Sequence, residues 1–263
     1  MHDFDHIELC MGTGFRFQGK SVLDYADTDH AIQIACAIMH EADTIFSLYK
    51  PESPLSKLAA GKTSVAECPS VVSEVWDACE TWEAKTDGWF SPFTPEHTFD
   101  PSGLVKTWAA RRAAESLIEA GIVDFTLNAG GDVLVSDQAS GEFDWRIGLS
   151  KPISIASPDA GALTVLNLKG TEFRAVATSG SAERGAHIWN PKAPGREPAA
   201  ELVQISVIAR DLVEADVWAT AAFAEGIASM ARLDREPHIE ALAILADGQM
   251  AATPGLAALI AKD

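Results

Sequence analysis

Hydrophobic positions along the chain switch between two periods. In DHAIQIACAIMHEADTIFSL, residues 29–48, apolar side chains fall at 31, 34, 35, 38, 42, 45 and 46. That is the spacing of an amphipathic helix, opening on Asp29 at a cap-like position. The same period predicts a helix over 69–86, around Val72, Val75, Trp76 and Cys79, and another from about 104 to 120, with Gly121 in place to end it. A period of two marks GTGFRFQ, residues 12–18, as a strand with Phe15 and Phe17 on one face. Further strand-like runs cover 123–128 and 132–136, separated by AGG, then 144–149, 163–168, 172–178 and 201–208. ADVWATAAFAEGIASM, residues 215–230, reads as an apolar helix. A strand at 242–246 meets an Asp247–Gly248 turn, a hairpin signal, and a small apolar helix at about 254–262 follows.

Two stretches break both periods. The proline-bounded YKPESPLSKL reads as a loop, and so does DGWFSPFTPEHTFDP, residues 87–101, with three prolines and four aromatics. Helices come first, then strands, then mixed elements, which points to an α+β fold. No repeat, low-complexity linker or domain boundary stands out, so residues 1–263 are expected to form a single globular unit.

Charge narrows the range of functions. Thirty-eight acids against 20 bases leave a net charge of −18, which argues against nucleic-acid binding, since that needs a positive field. A phosphate-bearing ligand would need a divalent cation or a locally basic pocket. The cysteines at 10, 36, 68 and 79 show no CxxC or other metal-ligand spacing, and Cys36 and Cys79 read as small buried thiols. The start, MHDFDHIELC, lacks the basic-then-apolar order of a signal peptide, and no run of 18 apolar residues predicts a membrane span. Cytoplasmic is the simple expectation.

Four motifs have chemical potential. In EADVWAT, residues 214–220, Asp216 and Thr220 stand four apart on one helix face and offer hard oxygen ligands suited to Mg²⁺. A first-turn acid and a threonine bonded back to a carbonyl explain the same pair. NAGGD, residues 128–132, lies between two strand-like runs and reads best as a turn. In VATSGSAERGAHIWNP, residues 176–191, Thr178, Ser179 and the Gly180 backbone offer donors to an anion, and His187 offers a base or simply a structural imidazole. In FDPSGLVK, Asp100, Gly103 and Lys106 precede or open a helix at steps of three, where an acid can serve as a cap and a lysine as a phosphate partner.

The order of these pieces is more specific than any one of them. MGT–F, LYKPESPLSKL, DPSGLVK, NAGGD, VATSG…HIWNP and EADVWATA, over about residues 10–250, resemble the ApbE family of flavin transferases. The resemblance implies an ApbE-like, T-fold-related α+β unit with a flavin-nucleotide cleft. It implies Mg²⁺-dependent transfer of FMN from FAD to a Thr or Ser hydroxyl of an acceptor flavoprotein that carries a flavinylation motif, with release of AMP. FAD pyrophosphatase activity, or non-catalytic FAD binding, are the alternatives.

Residue by residue, the resemblance implies FAD contacts at Met11, Tyr49, Gly88, Trp89, Phe90, Asp100, Lys106, Thr178, His187 and Ile188. It implies a metal site from Asp216, Thr220 and the backbone positions Gly103 and Ala219, with His187 and Asp216 as catalytic residues. The chain departs from the family pattern at Thr107, Ser181, Ala182 and Asn190, and is shortened between Trp89 and Asp100. These departures bear on acceptor choice and catalysis more than on flavin binding. Many relatives are exported lipoproteins, whereas no such signal is read here.

Overall fold

The computed structural model describes residues 1–136, 145–152, 161–180, 188–193 and 201–262. Its mixture of helix and sheet is the expected α+β class. The chain gathers into two compact units, the first from Met1–Gly130 and the second from Gly131–Val135 with the described residues beyond 144.

In the first unit, β1 (His2–Cys10) pairs antiparallel with β2 (Thr13–Ser21), and β2 with β3 (Asp124–Ala129). Cys10 faces Thr13 in the register, so Met11 and Gly12 alone make the turn, with φ of +51° and +72°. Both central residues of such a two-residue hairpin need positive φ. β1 is absent from the sequence expectation. Its half-buried side carries His2, Phe4, His6 and Glu8, while Ile7 and Leu9 point outward, so its polarity runs against its burial.

α1 (Tyr25–Phe46) starts a turn earlier than expected. Asp24, not Asp29, is its cap and accepts the Asp27 N–H at 2.9 Å. Its buried stripe runs through Thr28, Ala31, Ile32, Ala35, Cys36, Met39, Ala42 and Phe46, and Ile34 is left exposed. The proline-bounded loop holds a short helix, α2 (Pro54–Ala59). Ser53 caps it by accepting the Ser56 N–H, and Pro54 sits at the first helical position, where its missing N–H costs nothing. α3 (Ser70–Lys85) and α4 (Ser102–Glu119) form as the periodicity predicts, and α4 ends before Gly121 at φ +92°. α1 and α4 pack together, with Phe46 edge-on to Trp108.

Between α3 and α4, Trp76, Phe93 and Phe99 pack as one aromatic cluster that holds the proline-rich loop. At Gly130 a Cβ would collide with the Thr13 side chain, so the residue is a glycine because threonine occupies its space.

In the second unit, β4 (Asp132–Val135), β7 (Ala175–Gly180), β8 (Leu202–Ala209), β9 (Glu240–Leu245) and β10 (Met250–Ala252) pair antiparallel in that order. β5 (Arg146–Ser150) and β6 (Ala162–Asn167) form a separate pair. α5 (Leu212–Glu225) packs on β7 and β8 and is buried along almost its whole length. The single apolar helix expected over 215–230 is interrupted at Gly226, and α6 (Ser229–Leu233) follows. After the Asp247–Gly248 hairpin, the last helical turn is a 3-10 stretch at Pro254–Ala258. A core of Leu149, Leu166, Phe173, Val176, Ile208 and Leu256 fills this unit.

All four cysteines are free thiols, and burial pushes those of Cys36 and Cys79 up to about 12. Among the described residues no helix is long and apolar enough to cross a membrane.

Candidate active site

In the first unit, Asp100, Gly103 and Lys106 stand at the start of α4, with Phe90 packed against Gly103. Asp100 is half-buried; its N–H donates to the Pro92 carbonyl at 2.7 Å and its Oδ1 accepts the Ser102 N–H at 3.0 Å. Asp100 is therefore not the cap it was expected to be: its bond is an Asx turn ahead of α4, whose N-cap position is Pro101, with no side-chain cap. Gly103 lies against Phe90, and a Cβ there would come within 3.3 Å of the ring. Phe90 is buried and fixed by its N–H to the Thr86 hydroxyl at 3.0 Å. Gly88 and Trp89 are half-buried just before it, and Lys106 is half-buried one turn along α4 from Ser102. Thr107, at a position of departure, is fully buried and bonds its hydroxyl to the Leu104 carbonyl at 3.2 Å. Met11 stands at the hairpin tip beside a concavity of about 560 Å³ lined by Leu9–Gly14, His40 and Asp43. Tyr49, at 98% exposure, presents nearly its entire ring to solvent.

The second unit brings a different set together. Thr178, on β7, donates its N–H to Oδ1 of the buried Asp132 at 3.0 Å, and its hydroxyl bonds to the Ser206 hydroxyl at 2.8 Å. Those two bonds engage the backbone N–H and the hydroxyl of Thr178, one of the groups that the sequence offered for an anion. Gly180 is required by strand packing, since a Cβ would press to 2.9 Å from the Val203 carbonyl. Thr178 also lines a cavity of about 290 Å³ with Gly131, Gly148, Ser150, Lys151 and Gln204. Ile188 is buried, and Asn190 accepts the Lys192 N–H at 2.9 Å. His187, Ser181 and Ala182 lie outside the described residues.

On α5, Asp216 is 6% exposed, the one acid among the helix's buried residues. Ala219 is fully buried and has only its backbone to offer. Thr220, one turn beyond Asp216, is half-buried, and its hydroxyl forms no hydrogen bond with the described residues. Thr44, Thr81 and Thr86 each bond back to a carbonyl four residues earlier, which Thr220 does not. A buried carboxylate and, one turn on, a hydroxyl with no hydrogen bond to the described residues form a hard-oxygen donor set that fits Mg²⁺.

The sequence pattern of the ApbE family matches residues 93–243, more than half of the chain. The chain belongs to the ApbE family. An FAD:protein FMN transferase of Klebsiella pneumoniae (strain 342) is 30% identical over 141 residues, covering 51% of this chain and 40% of that relative. The chain thus matches less than half the length of that ApbE relative. The ApbE protein of Thermotoga maritima has the same fold, with a TM-score of 0.81 at 19% identity over 99% of this chain and 100% of that one. Flavin transferase ApbE from Vibrio cholerae superposes with a TM-score of 0.77 at 18% identity, over 98% and 99% of the two chains.

Within this ApbE chain, the sequence reading did not single out Asp132 as a candidate. The acid that closes NAGGD is the only signal of it, and its partner lies 46 residues away.

Proposed function

We propose that the chain is an FAD:protein FMN transferase, with residues 1–263 acting as one catalytic domain. FAD is the substrate, a Thr or Ser hydroxyl of an acceptor flavoprotein receives FMN, and AMP leaves. The supporting observation is the pair on α5, in a chain of this family: a buried Asp216 and, one turn away, a Thr220 hydroxyl with no hydrogen bond to the described residues. The Klebsiella relative, an FAD:protein FMN transferase, supports the reaction class.

Asp216, Thr220 and the backbone carbonyls of Gly103 and Ala219 would hold Mg²⁺. Bound there, the ion supplies positive charge for the pyrophosphate and for the departing AMP, which an acidic protein otherwise lacks. Asp100 and Lys106 bind the nucleotide, and Met11, Tyr49 and the Gly88–Phe90 segment offer apolar surface to the flavin. Asp132 holds the β7 backbone at Thr178 and so positions the strand leading toward Ile188 and His187. His187 takes the proton of the attacking hydroxyl. The hydroxyl oxygen of the acceptor bonds to the FMN phosphorus, the bond from that phosphorus to the bridging oxygen breaks, and AMP departs with that oxygen.

The test is to incubate the protein with FAD, with Mg²⁺ or chelator, and with or without an acceptor domain, then quantify AMP, FMN and protein-bound flavin. Mg²⁺-dependent AMP with flavin fixed on the acceptor is the expected result. AMP with free FMN in every sample would make the chain a pyrophosphatase, and intact FAD throughout would overturn the catalytic reading.

A further inference from the structure

A second cluster of donors lies in the first unit, on different residues and of different chemistry. His6 and Glu8 stand two apart on the half-buried side of β1, and Cys36 and His40 stand one turn apart on α1. Strand period and helix period bring all four to one seam. His6 Nε2 lies 3.2 Å from Glu8 Oε2 and 3.5 Å from Cys36 Sγ, and the three donor atoms all fall within 4.8 Å of one another. The second oxygen of Glu8 is 2.9 Å from His40 Nε2.

We propose that His6, Glu8 and Cys36 form a binding site for a divalent transition-metal ion, zinc by preference, with His40 orienting the carboxylate.

The donor set decides the class of metal. Imidazole, carboxylate and thiolate together suit zinc, whereas Mg²⁺ and Ca²⁺ take oxygen ligands. The spacing agrees. Bonds of about 2.0–2.1 Å to nitrogen or oxygen and about 2.3 Å to sulfur, at tetrahedral angles, put N and O about 3.3 Å apart and N and S about 3.6 Å apart. Burial is also suitable: Cys36 is 3% exposed, while the His6 and Glu8 side chains are 28% and 26% exposed, which leaves an approach from solvent. Three protein donors leave a fourth position for water or a small ligand. His40, bonded to the remaining carboxylate oxygen, plays the part that outer partners play in zinc sites. On binding, the S–H bond of Cys36 breaks, sulfur bonds to the metal and the proton leaves to solvent; no oxidant or reductant is required. Without metal, the contacts among His6, Glu8, Cys36 and His40 keep the donors close together.

The test uses the full chain, stripped with chelator and titrated with Co²⁺ alone while absorbance is followed, then with Zn²⁺. One equivalent of Co²⁺ with a thiolate-to-cobalt charge-transfer band, bleached by Zn²⁺ and untouched by excess Mg²⁺, is expected. Cys36→Ser removes that band, and Cys36→Ala, which keeps the apolar packing, does the same if the serine variant folds poorly. His40→Gln retains the band but weakens binding about 10- to 100-fold, the scale for outer partners. Failure of the folded chain to take up Co²⁺ or Zn²⁺ stoichiometrically overturns the site, as does a charge-transfer band that survives both Cys36 variants.

Discussion

The Thr178 N–H donates to Asp132 Oδ1 at 3.0 Å across 46 residues of chain, so a side chain at the start of β4 takes a backbone donor of β7. Both residues come from motifs that a sequence reader meets separately. A bond of this kind to a buried carboxylate contributes about 1.5–3 kcal/mol. Asp132→Ala should therefore lower unfolding stability by about 2 kcal/mol in a urea titration, with Asp132→Asn losing less because an amide oxygen still accepts. Equal stability of the alanine variant and the parent chain would refute the anchor.

Asp216→Asn tests the metal assignment more directly. Loss of a carboxylate ligand should cut Mg²⁺-dependent AMP formation by about 100-fold or more, in line with the several kcal/mol that metal catalysis supplies. Circular dichroism should remain that of the parent. Undiminished turnover in a folded variant would remove Asp216 from the site.

Gly103→Ala should separate binding from folding. The new Cβ would press on the Phe90 ring at 3.3 Å, while alanine favours helix over glycine by up to about 1 kcal/mol. Thermal stability is expected to shift little, whereas FAD retention, followed by fluorescence, should fall. Unchanged retention would mean that the Phe90–Gly103 contact serves packing alone.

Tyr49 offers the opposite case. Its ring is almost wholly exposed, so Tyr49→Ala should stay within about 0.5 kcal/mol of the parent in stability. FAD affinity should weaken if the ring covers flavin. Equal affinity in an equilibrium titration would strike Tyr49 from the contact set.

A pH dependence follows from Glu172. His238 Nδ1 lies 2.8 Å from its Oε2 and Arg210 bonds to the same oxygen; the histidine bond first, then the arginine, hold its carboxyl below the usual value of 4.5. The sign follows from the lowered folded value. The contribution is complete above the unfolded value, near 4.5, and is lost as pH falls through the folded one. Being exposed, it should shrink in high salt. Melting temperature against pH, compared with Glu172→Gln, should show a shallower acid limb in the variant at low salt. Identical acid limbs would refute the assignment.

The sequence made much of this arrangement legible, though unevenly. α3 and α4 were readable because their apolar stripes keep one period and Gly121 marks an end. β1 was not, because His6 and Glu8 occupy its half-buried side while Ile7 and Leu9 face outward, so hydrophobicity there misreports burial. α2 was hidden by prolines, one of which in fact opens the helix. In the candidate site, Asp216 and Thr220 could be paired from their spacing of four. That Thr220 forgoes the usual back-bond could not be read, and neither could the link from Asp132 to Thr178, because both depend on three-dimensional neighbours. The His6–Glu8–Cys36 seam escaped notice for the same reason: strand and helix contribute its donors from opposite ends of a 30-residue interval.

Gly130 carries a different lesson. A Cβ there would meet the Thr13 hydroxyl at 2.4 Å on a backbone at φ +63°, so any side chain at 130 requires Thr13 to move and leaves the backbone strained. The requirement comes from a packed neighbour and holds whether or not a ligand is bound. The two positions can change only together.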